Sequence, residues 1–399
     1  MQLFGRRYDT SQPVRLEIAG EKIAEVAPVE APREETQRWP WIAPGLIDLQ
    51  VNGYGGPEFN SAELTGEDVA EVIRAMDRFG VTRFCPTLTT ERFEVLQRAM
   101  RVIAAACDSS AQIARRVAGI HLEGPYVSTE DGARGAHPRE YCRRPDWDEF
   151  QRLQEAAGGR IRLLTMAVEF DEAPAFIHRA AESGVVVAIG HTAADSHQIR
   201  AAVDAGARMS THLGNGSHPM IHRHNNHIWD QLAEDRLVAG LIVDGCHLSP
   251  AVVKTFVRAK TPGRCILVSD TVGLAGSPPG RYSSTLCDVE VLESGKLVIA
   301  GQRELLAGAS EPIGTGIANV VRFAGVSLAE AVRMAVDHPA RLLGIEPGNL
   351  QPGDPADLVL FDLGDRFDVR ATVVAGETVF FVQRGCVGAT LDRGARGAC

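Results

Sequence analysis

From Ile42 onward the chain alternates between short apolar, β-branched runs and longer amphipathic stretches. A short apolar run that ends in polar or glycine residues predicts a buried strand, and apolar residues at every third or fourth position predict a helix. Eight such strands can be counted, with amphipathic segments between them, which predicts a closed (β/α)8 barrel of the TIM type. The strands are LIDLQVNG from Leu46, VTRFCPTL from Val81, VAGIHLEGP from Val117, IRLLTMAVE from Ile161, VVVAIGHT from Val185, RMSTHLGN from Arg208, VAGLIVDGCH from Val238 and CILVSDT from Cys265.

Two of the intervening helices have clear start signals. Thr65 followed by Asp68 has the spacing of a capping box, and Gly80 marks the end of that helix. Ser327 followed by Glu330 opens a second helix with the sequence SLAEAVRMAVDHPARLLG. In the first of these helices the predicted buried face consists of Val69, Val72, Ile73 and Met76.

The two ends of the chain have a different pattern from its middle. VRLEIAG and KIAEVAP near the N-terminus, and LVLFDL and TVVAGETVFFV near the C-terminus, are short strands separated by turn residues. We therefore expect both ends to combine in a small β-sandwich domain. The predicted boundaries are 1–43 and 349–385 for the sandwich, 44–348 for the barrel and 386–399 for a tail.

Composition and charge narrow the class of protein. The chain is 45% hydrophobic and 23% charged, and no apolar run reaches the roughly 18 residues of a membrane helix. The N-terminal MQLFGRRYDT lacks a signal peptide's apolar core, and the eight cysteines form no CxxC pair. A net charge of −10 argues against nucleic acid as the main partner. We expect a cytoplasmic protein with neither a membrane nor a nucleic acid partner.

Ionisable and amide side chains stand at the carboxyl ends of the predicted strands, where barrel enzymes place their active sites. Two imidazoles and one carboxylate suit Zn²⁺ or another divalent first-row ion, and Glu123, His191 and His212 fit that set. Asp270 would accept a proton from water and return it to a leaving nitrogen, which indicates metal-assisted amide hydrolysis. The strand-end residues are Gln50, Asn52, His121, Glu123, Glu169, His191, His212, Asp244, His247 and Asp270.

Some of these residues also have simpler interpretations. His121 points to the same side of its strand as Glu123, so direct contact with the metal and indirect support are both open. Asp270 could instead cap a following helix, and we interpret Cys246 as a packing residue. The segment SHPMIHRHNNH holds four more histidines at a spacing that fits no helical face. In that segment Arg223 could bind a phosphate, or it could be an ordinary exposed arginine.

Dinucleotide, nucleotide and serine hydrolase motifs are absent from the sequence, since it contains no GxGxxG opening a helix, no GxxxxGK[ST] and no GxSxG. Other motifs occur in an order that resembles the N-acetylglucosamine-6-phosphate deacetylase family of the amidohydrolase superfamily, nearly end to end. These motifs are APGLIDLQVNGYGG, HLEGPY, GARGAH, IGHTAADS, THLGN, VDGCH, VSD, LLAGAS, HPARLLGI and PGDPADLVLFD.

The resemblance implies metal-dependent removal of acetate from a phosphorylated N-acetyl amino sugar. It assigns metal binding to Glu123, His191 and His212, and the acid and base role to Asp270. It also implies a homodimer in which Arg223 reaches the neighbouring site. The substrate contacts that it implies are Ala136, His137, Asn215, Gly216, Arg223, His247, Leu306, Ala307 and Gly308.

The sequence departs from the family pattern at several positions. Many amidohydrolases have His-x-His on the first strand for a second metal, whereas this chain has Gln50 and Asn52, so we expect one metal. Zn²⁺ is our prediction, and Fe²⁺, Co²⁺ and Mn²⁺ suit the same ligands. Where the family has Asn-Ala-Met, the segment 214–218 reads GNGSH. Thr271 and Val272 replace an expected Ala-Met, and Ala309 replaces a serine.

These departures leave the sugar epimer, the acyl group and the phosphate requirement open. Two glycines in the altered segment would be expected to admit a different or larger group. Another N-acyl sugar, a cyclic amide or an N-acyl amino acid is an alternative substrate, and a catalytically silent metal-binding scaffold is an alternative function.

Overall fold

The computed structural model of the chain describes residues 1–284 and 288–382, without the side chains of residues 304 and 305. Its central sheet contains eight parallel strands arranged in chain order. The first and last strands meet through a parallel bridge between Val51 and Thr271, and Asp270 N donates to Gln50 O at 2.9 Å. The predicted (β/α)8 barrel is confirmed. Barrel strands 1 to 8 are Leu46–Val51, Val81–Thr89, Ile120–Glu123, Ile161–Met166, Val186–Ile189, Met209–Ser210, Val238–Leu241 and Cys265–Leu267.

Helices pack on the outside of the barrel. Both predicted capping boxes are present, at Thr65 with Asp68 and at Ser327 with Glu330. The second of these helices is shorter than predicted because Pro339 has no N–H to donate to the carbonyl four residues earlier. The chain breaks at Val336 and restarts as a new helix. The helices are Arg33–Thr36, Gly66–Asp77, Phe93–Ser109, Ala111–Arg116, Trp147–Ala156, Ala173–Glu182, Ser196–Ala205, His227–Ala233, Pro250–Lys260, Ile313–Ala324, Leu328–Ala335 and Asp337–Leu342, with a 3₁₀ turn at Pro262–Arg264.

The two chain ends combine in an accessory domain, as predicted, and its strands form one sheet of seven. Trp41–Pro44 joins the two halves, because it runs parallel to Gln2–Arg7 and antiparallel to Leu358–Leu363. In spatial order the strands are Glu377–Phe381, Phe367–Val374, Leu358–Leu363, Trp41–Pro44, Gln2–Arg7, Pro13–Ala19 and Lys22–Pro28. The tail predicted at 386–399 lies outside the described residues.

A four-stranded antiparallel sheet that the sequence analysis did not predict follows barrel strand 8. It has a small core of its own around Val289, Val291 and Leu297. Its strands are Gly280–Ser283, Asp288–Val291, Leu297–Ile299 and Gln302–Leu306. Across the part of the chain that the structure describes, no helix has both the length and the apolar character needed to cross a membrane.

Candidate metal centre

Three side chains converge at the carboxyl end of the barrel. Glu123 ends barrel strand 3, and His191 and His212 each follow the end of their strand by two residues. Glu123 Oε1 lies 3.1 Å from His191 Nε2 and 3.0 Å from His212 Nε2, and the two nitrogens are 3.0 Å apart. All three residues are buried. Within residues 1–284 and 288–382 they form the one group of histidine, cysteine and carboxylate side chains arranged to hold a metal ion.

The hydrogen bonds around His191 show that a cation fits between these atoms. His191 Nδ1 lies 3.2 Å from the carbonyl oxygen of Ala133, which can only accept, so Nδ1 carries the proton. The lone pair of Nε2 therefore faces the carboxylate oxygen of Glu123. The donor set is thus one carboxylate and two imidazoles around a common point, as a divalent first-row ion requires.

The question left open for His121 is answered by its contacts. Its Nε2 lies 2.8 Å from Thr165 Oγ1, and its Nδ1 lies 3.5 Å from Thr87 Oγ1. Burial lowers the pKa of His121 to about 4, so the ring is neutral. His121 therefore belongs to a hydroxyl network beside the cluster and is not one of its three members.

Asp270 stands three residues beyond barrel strand 8 and accepts a hydrogen bond from Asn52 Nδ2 at 2.8 Å. Burial, followed by the negative charge of Glu123, raises the pKa of Asp270 to about 7. A carboxylate with a pKa near neutrality can take up a proton and release it again. The alternative role as a helix cap is wrong, because the next helix begins only at Ile313 and its N-cap residue is Pro312.

Three of these residues have left-handed backbone conformations, with φ of 50° at His191, 27° at His212 and 57° at Asp270. Such angles are unfavourable for residues other than glycine and cost roughly 1–3 kcal/mol each. They occur where the chain leaves a barrel strand and turns into a loop. Histidine and aspartate are several-fold enriched in that region among residues other than glycine, but residue type alone does not predict which of them adopt it.

Most of the predicted substrate contacts lie around this cluster. His137 Nε2 is 3.2 Å from His191 Nε2, and Ala136 precedes His137 on the same loop. Asn215 Nδ2 donates to the carbonyl oxygen of His212 at 3.1 Å. The segment from Leu306 to Gly308 is connected to the site through Ala309, whose N–H donates to Asp270 O at 3.3 Å.

Two further predicted contacts are positioned differently. His247 Nδ1 lies 2.7 Å from Asp244 Oδ2, so this pair leaves the other ring nitrogen free for a ligand. Arg223 is exposed, and its carbonyl oxygen accepts a hydrogen bond from Trp229 Nε1 at 3.2 Å. This hydrogen bond holds the backbone of Arg223, while its side chain is exposed.

Three histidines of the segment 218–227 have hydrogen-bond partners of their own. His218 pairs with Glu130 at 3.2 Å, and His227 Nε2 lies 3.0 Å from Ser217 Oγ. His222 Nδ1 accepts from the N–H groups of His224 and Asn225. None of them belongs to a metal-binding group in the described part of the chain.

Gln50 and Asn52 lie at the site as the sequence predicts, but the sequence does not predict the carboxylates that they bind. Gln50 Nε2 donates to Glu123 Oε2 at 3.0 Å, just as Asn52 donates to Asp270. Thr90, whose hydroxyl lies 2.7 Å from His137 Nδ1, is a further residue of the site that the sequence does not predict. The one sequence signal for these contacts is that Gln50 and Asn52 are two residues apart on one strand, so that their side chains point to the same side of it.

The chain matches known proteins over most of its length. The model of the amidohydrolase family matches residues 41–379. The N-acetylglucosamine-6-phosphate deacetylase of Bos taurus is 37% identical over 86% of this chain and 84% of its own. The N-acetylgalactosamine-6-phosphate deacetylase of Escherichia coli O157:H7 is 33% identical over 88% of this chain and 91% of its own.

Structure comparison agrees with these matches. A mutant N-acetyl-D-glucosamine-6-phosphate deacetylase from Mycobacterium smegmatis, solved in complex with N-acetyl-D-glucosamine-6-phosphate, has a TM-score of 0.84 and 31% identity. The match covers 95% of this chain and 99% of that one. The chain therefore belongs to the amidohydrolase family and, within it, to the N-acetylglucosamine-6-phosphate deacetylase family.

Proposed function

We propose that this protein hydrolyses N-acetylglucosamine 6-phosphate to glucosamine 6-phosphate and acetate. One observation carries the proposal: Glu123, His191 and His212 converge on one point, with Asp270 at the same barrel mouth, in a chain of this family. The two imidazoles and two carboxylates provide both a metal site and a proton acceptor, which is the minimum that amide hydrolysis by water requires.

Membership of the amidohydrolase family implies a divalent metal ion. We propose a single ion, Zn²⁺, held by Glu123, His191 and His212, and Fe²⁺, Co²⁺ and Mn²⁺ are the alternatives. When bound, such an ion acidifies water and polarises the carbonyl group of the amide. Gln50 and Asn52 have amide side chains at the positions where a second metal would need the imidazoles of His-x-His. This supports one ion per site.

In this proposal Asp270 takes a proton from the attacking water and then delivers it to the nitrogen of the leaving amine. The raised pKa of Asp270 supports this role, because a carboxylate with a pKa of about 7 exists in both protonation states at neutral pH. The nitrogen must be protonated before the C–N bond breaks, since an amide anion is too poor a leaving group. No covalent link between the chain and the substrate is needed.

We propose that the sugar phosphate is held by Ala136, His137, Asn215, Gly216, His247 and the segment from Leu306 to Gly308, with Arg223 on the phosphate. A guanidinium binds phosphate oxygens through two parallel hydrogen bonds, which suits this role. Arg223 is exposed and lies near exposed Met220 and Trp229. These features support a homodimer in which Arg223 reaches the site of the other subunit.

The proposed catalytic unit is the barrel over 44–348, and the accessory domain comprises 1–43 and 349–385. A cytoplasmic location stays a prediction from the sequence.

A substrate screen tests the proposed function. The purified protein is given N-acetylglucosamine 6-phosphate, its galactose epimer, both unphosphorylated sugars, a cyclic amide and an N-acyl amino acid, and release of free amine is followed. We expect the phosphorylated glucose epimer to have the highest kcat/KM. The similarity to the N-acetylgalactosamine-6-phosphate deacetylase makes the other epimer the main competitor. Turnover of none of these compounds by metal-loaded protein would favour the silent scaffold.

A further inference from the structure

The first barrel strand ends in two amide side chains, and each contacts one oxygen of a functional carboxylate. Gln50 and Asn52 are two residues apart, so their side chains leave the strand on the same side. Gln50 Nε2 donates to Glu123 Oε2 at 3.0 Å, and Asn52 Nδ2 donates to Asp270 Oδ1 at 2.8 Å. Both amides are buried, with exposed fractions of 1% and 6%.

Each contact divides the two oxygens of its carboxylate between different tasks. Glu123 Oε1 is the atom that faces both imidazoles, at 3.1 and 3.0 Å, while Oε2 is taken by Gln50. In Asp270 the oxygen Oδ1 is taken by Asn52, and Oδ2 is left for a reacting proton. Free rotation of either carboxylate would exchange the two oxygens and lose this division.

The orientation of the two amides is fixed by charge. If either amide were turned over, its carbonyl oxygen would face a carboxylate oxygen, and two acceptors would be in contact. In the observed orientation Gln50 Oε1 and Asn52 Oδ1 are buried and make no hydrogen bond to the described residues. The contacts with the carboxylates are therefore the interactions that hold these amides.

The backbone holds the donors and acceptors in place as well. Asn52 N donates to the carbonyl oxygen of Thr271 at 2.8 Å, and Asp270 N donates to the carbonyl oxygen of Gln50 at 2.9 Å. These bonds cross the junction between barrel strands 1 and 8. The segments that carry Asn52 and Asp270 are thus joined by main-chain bonds to neighbouring residues as well as by the bond between the two side chains, which limits the movement of the carboxylate.

Building on the function proposed above, we propose that Gln50 and Asn52 are positioning residues with separate tasks. Gln50 holds Glu123 so that only Oε1 faces the metal, and it thereby raises the affinity of the site for the metal. Asn52 holds Asp270 so that Oδ2 faces the reacting atoms, and it thereby increases the rate of the proton transfers. A residue with a purely structural role would affect neither quantity selectively.

The test uses two variants of nearly unchanged shape that lack the donor, Gln50→Met and Asn52→Leu. Zn²⁺ affinity is measured by competition with a chromogenic chelator, and kcat and KM are measured on the metal-saturated enzyme. We expect Gln50→Met to lower Zn²⁺ affinity roughly 10- to 100-fold while leaving kcat at saturating metal within about threefold. We expect Asn52→Leu to lower kcat roughly 10- to 100-fold with Zn²⁺ affinity and KM within about threefold.

Gln231→Met is the matched control, because Gln231 is a buried amide whose Nε2 donates to the carbonyl oxygen of His227 instead of a carboxylate. It should change neither Zn²⁺ affinity nor kcat. Should Asn52→Leu fail to fold by circular dichroism, Asn52→Ala, which also lacks a donor, replaces it with the same expected split.

Wild-type Zn²⁺ affinity in Gln50→Met together with wild-type kcat in Asn52→Leu would overturn the inference, and so would equal loss of both quantities in both variants. Failure of the wild-type protein to hydrolyse N-acetylglucosamine 6-phosphate would refute the proposed function instead. The Zn²⁺ competition with Gln50→Met needs no turnover and would still decide the role of Gln50.

Discussion

Gly216 lies directly against the imidazole of His191, and a Cβ atom at position 216 would be 2.6 Å from His191 Nδ1. A Cβ atom at Gly135 would also lie close to the same ring atoms, 3.1 Å from His191 Cε1 and 3.2 Å from His191 Nδ1. Both glycines have left-handed φ, of 55° and 60°. The two loops that carry these glycines thus both pack against the Nδ1–Cε1 edge of the ring.

This contact gives the glycines in the segment 214–218 a structural role different from the one that the sequence suggested. The sequence suggested that missing side chains there would enlarge the pocket. The structure shows that the space beside Gly216 is filled by His191, and that the space beside Gly214 is bounded by Phe256 and Leu248. Glycine at these positions permits close packing of the chain itself, so we expect the pocket to be no larger because of it.

We predict that Gly216→Ala weakens the metal site. The left-handed backbone alone costs roughly 1–2 kcal/mol for a residue with a Cβ, and the contact at 2.6 Å would in addition displace His191. Metal affinity should fall more than about tenfold. The control is Gly184→Ala, since Gly184 has a φ of 84° and open space around it. That variant should lose stability by a similar amount and keep its metal, and equal metal affinity in both variants would contradict the prediction.

Asp270→Asn should abolish turnover without releasing the metal. Asparagine keeps the shape of the side chain and an oxygen for the hydrogen bond from Asn52, but it cannot take up a proton from water. We expect kcat to fall roughly 10²- to 10⁴-fold. Elemental analysis should give the metal content of the wild type. A variant with unchanged kcat would remove Asp270 from the mechanism.

Arg223→Ala separates recognition of phosphate from catalysis. Loss of a hydrogen bond to a charged group costs roughly 1.5–3 kcal/mol, so KM for the 6-phosphorylated sugar should rise roughly 10- to 150-fold. Kinetics on the unphosphorylated sugar should not change. Arg74→Ala is the control, because Arg74 is exposed and paired with Glu67 on an outer helix. The assignment of Arg223 to phosphate fails if both sugars respond alike.

Removal of the metal should lower thermal stability as well as activity. A bound ion stabilises the folded state by about 4 kcal/mol at a free concentration 1,000 times Kd, so treatment with a chelator should lower Tm. Addition of Zn²⁺, Fe²⁺, Co²⁺ or Mn²⁺ should restore Tm, and the most effective ion indicates the preferred metal. In His212→Gln the chelator should have little effect on Tm, whereas His178→Gln, an exposed histidine beside Glu182, should behave as the wild type. A chelator effect in His212→Gln equal to that in the wild type would argue against this site.

Asp48 gives a prediction for the pH dependence of stability. Its Oδ1 accepts from Ser269 N at 3.1 Å, but its Oδ2 is buried without a partner in the described residues. Burial raises the pKa of Asp48 from 3.8 to about 6. The folded state therefore binds a proton that the unfolded state releases, and this stabilisation is full below pH 3.8 and lost as pH rises through about 6.

The loss amounts to roughly 3 kcal/mol at pH 7, since each pKa unit corresponds to about 1.4 kcal/mol. Asp48→Asn removes this titration. Its free energy of unfolding relative to the wild type should therefore improve by about that amount between pH 4 and pH 7, measured by urea denaturation of metal-free protein. A constant difference between the two proteins across this range would show that Asp48 does not titrate as described.

The sequence predicts the barrel well because its signals are local and repeated. Strand ends are marked by glycine and polar residues, and the capping boxes at Thr65 and Ser327 involve side chains only three residues apart. The strand ends also predict which residues meet at the mouth, since parallel strands in a barrel all end on one side. That is why Glu123, His191 and His212 could be brought together without a structure.

Other features depend on interactions that sequence patterns do not contain. The sheet between Gly280 and Leu306 consists of strands of three to five residues, which are too short for an apolar pattern alone to predict a strand. The hydrogen bonds of Gln50 and Asn52 depend on side-chain rotamers across the closed barrel. The close packing of Gly135 and Gly216 against His191 depends on backbone angles that glycine permits but does not require.

The pairing of both chain ends in the accessory sheet has a consequence for synthesis in the cell. Pro44 pairs with Leu358, so one edge of Trp41–Pro44 stays without its partner until nearly the whole chain has left the ribosome. At ordinary rates of translation this interval lasts roughly tens of seconds. During that time an unpaired strand edge can pair with another nascent chain. We therefore expect the yield of native protein to depend on chaperones that protect the N-terminal strands until the last strands arrive.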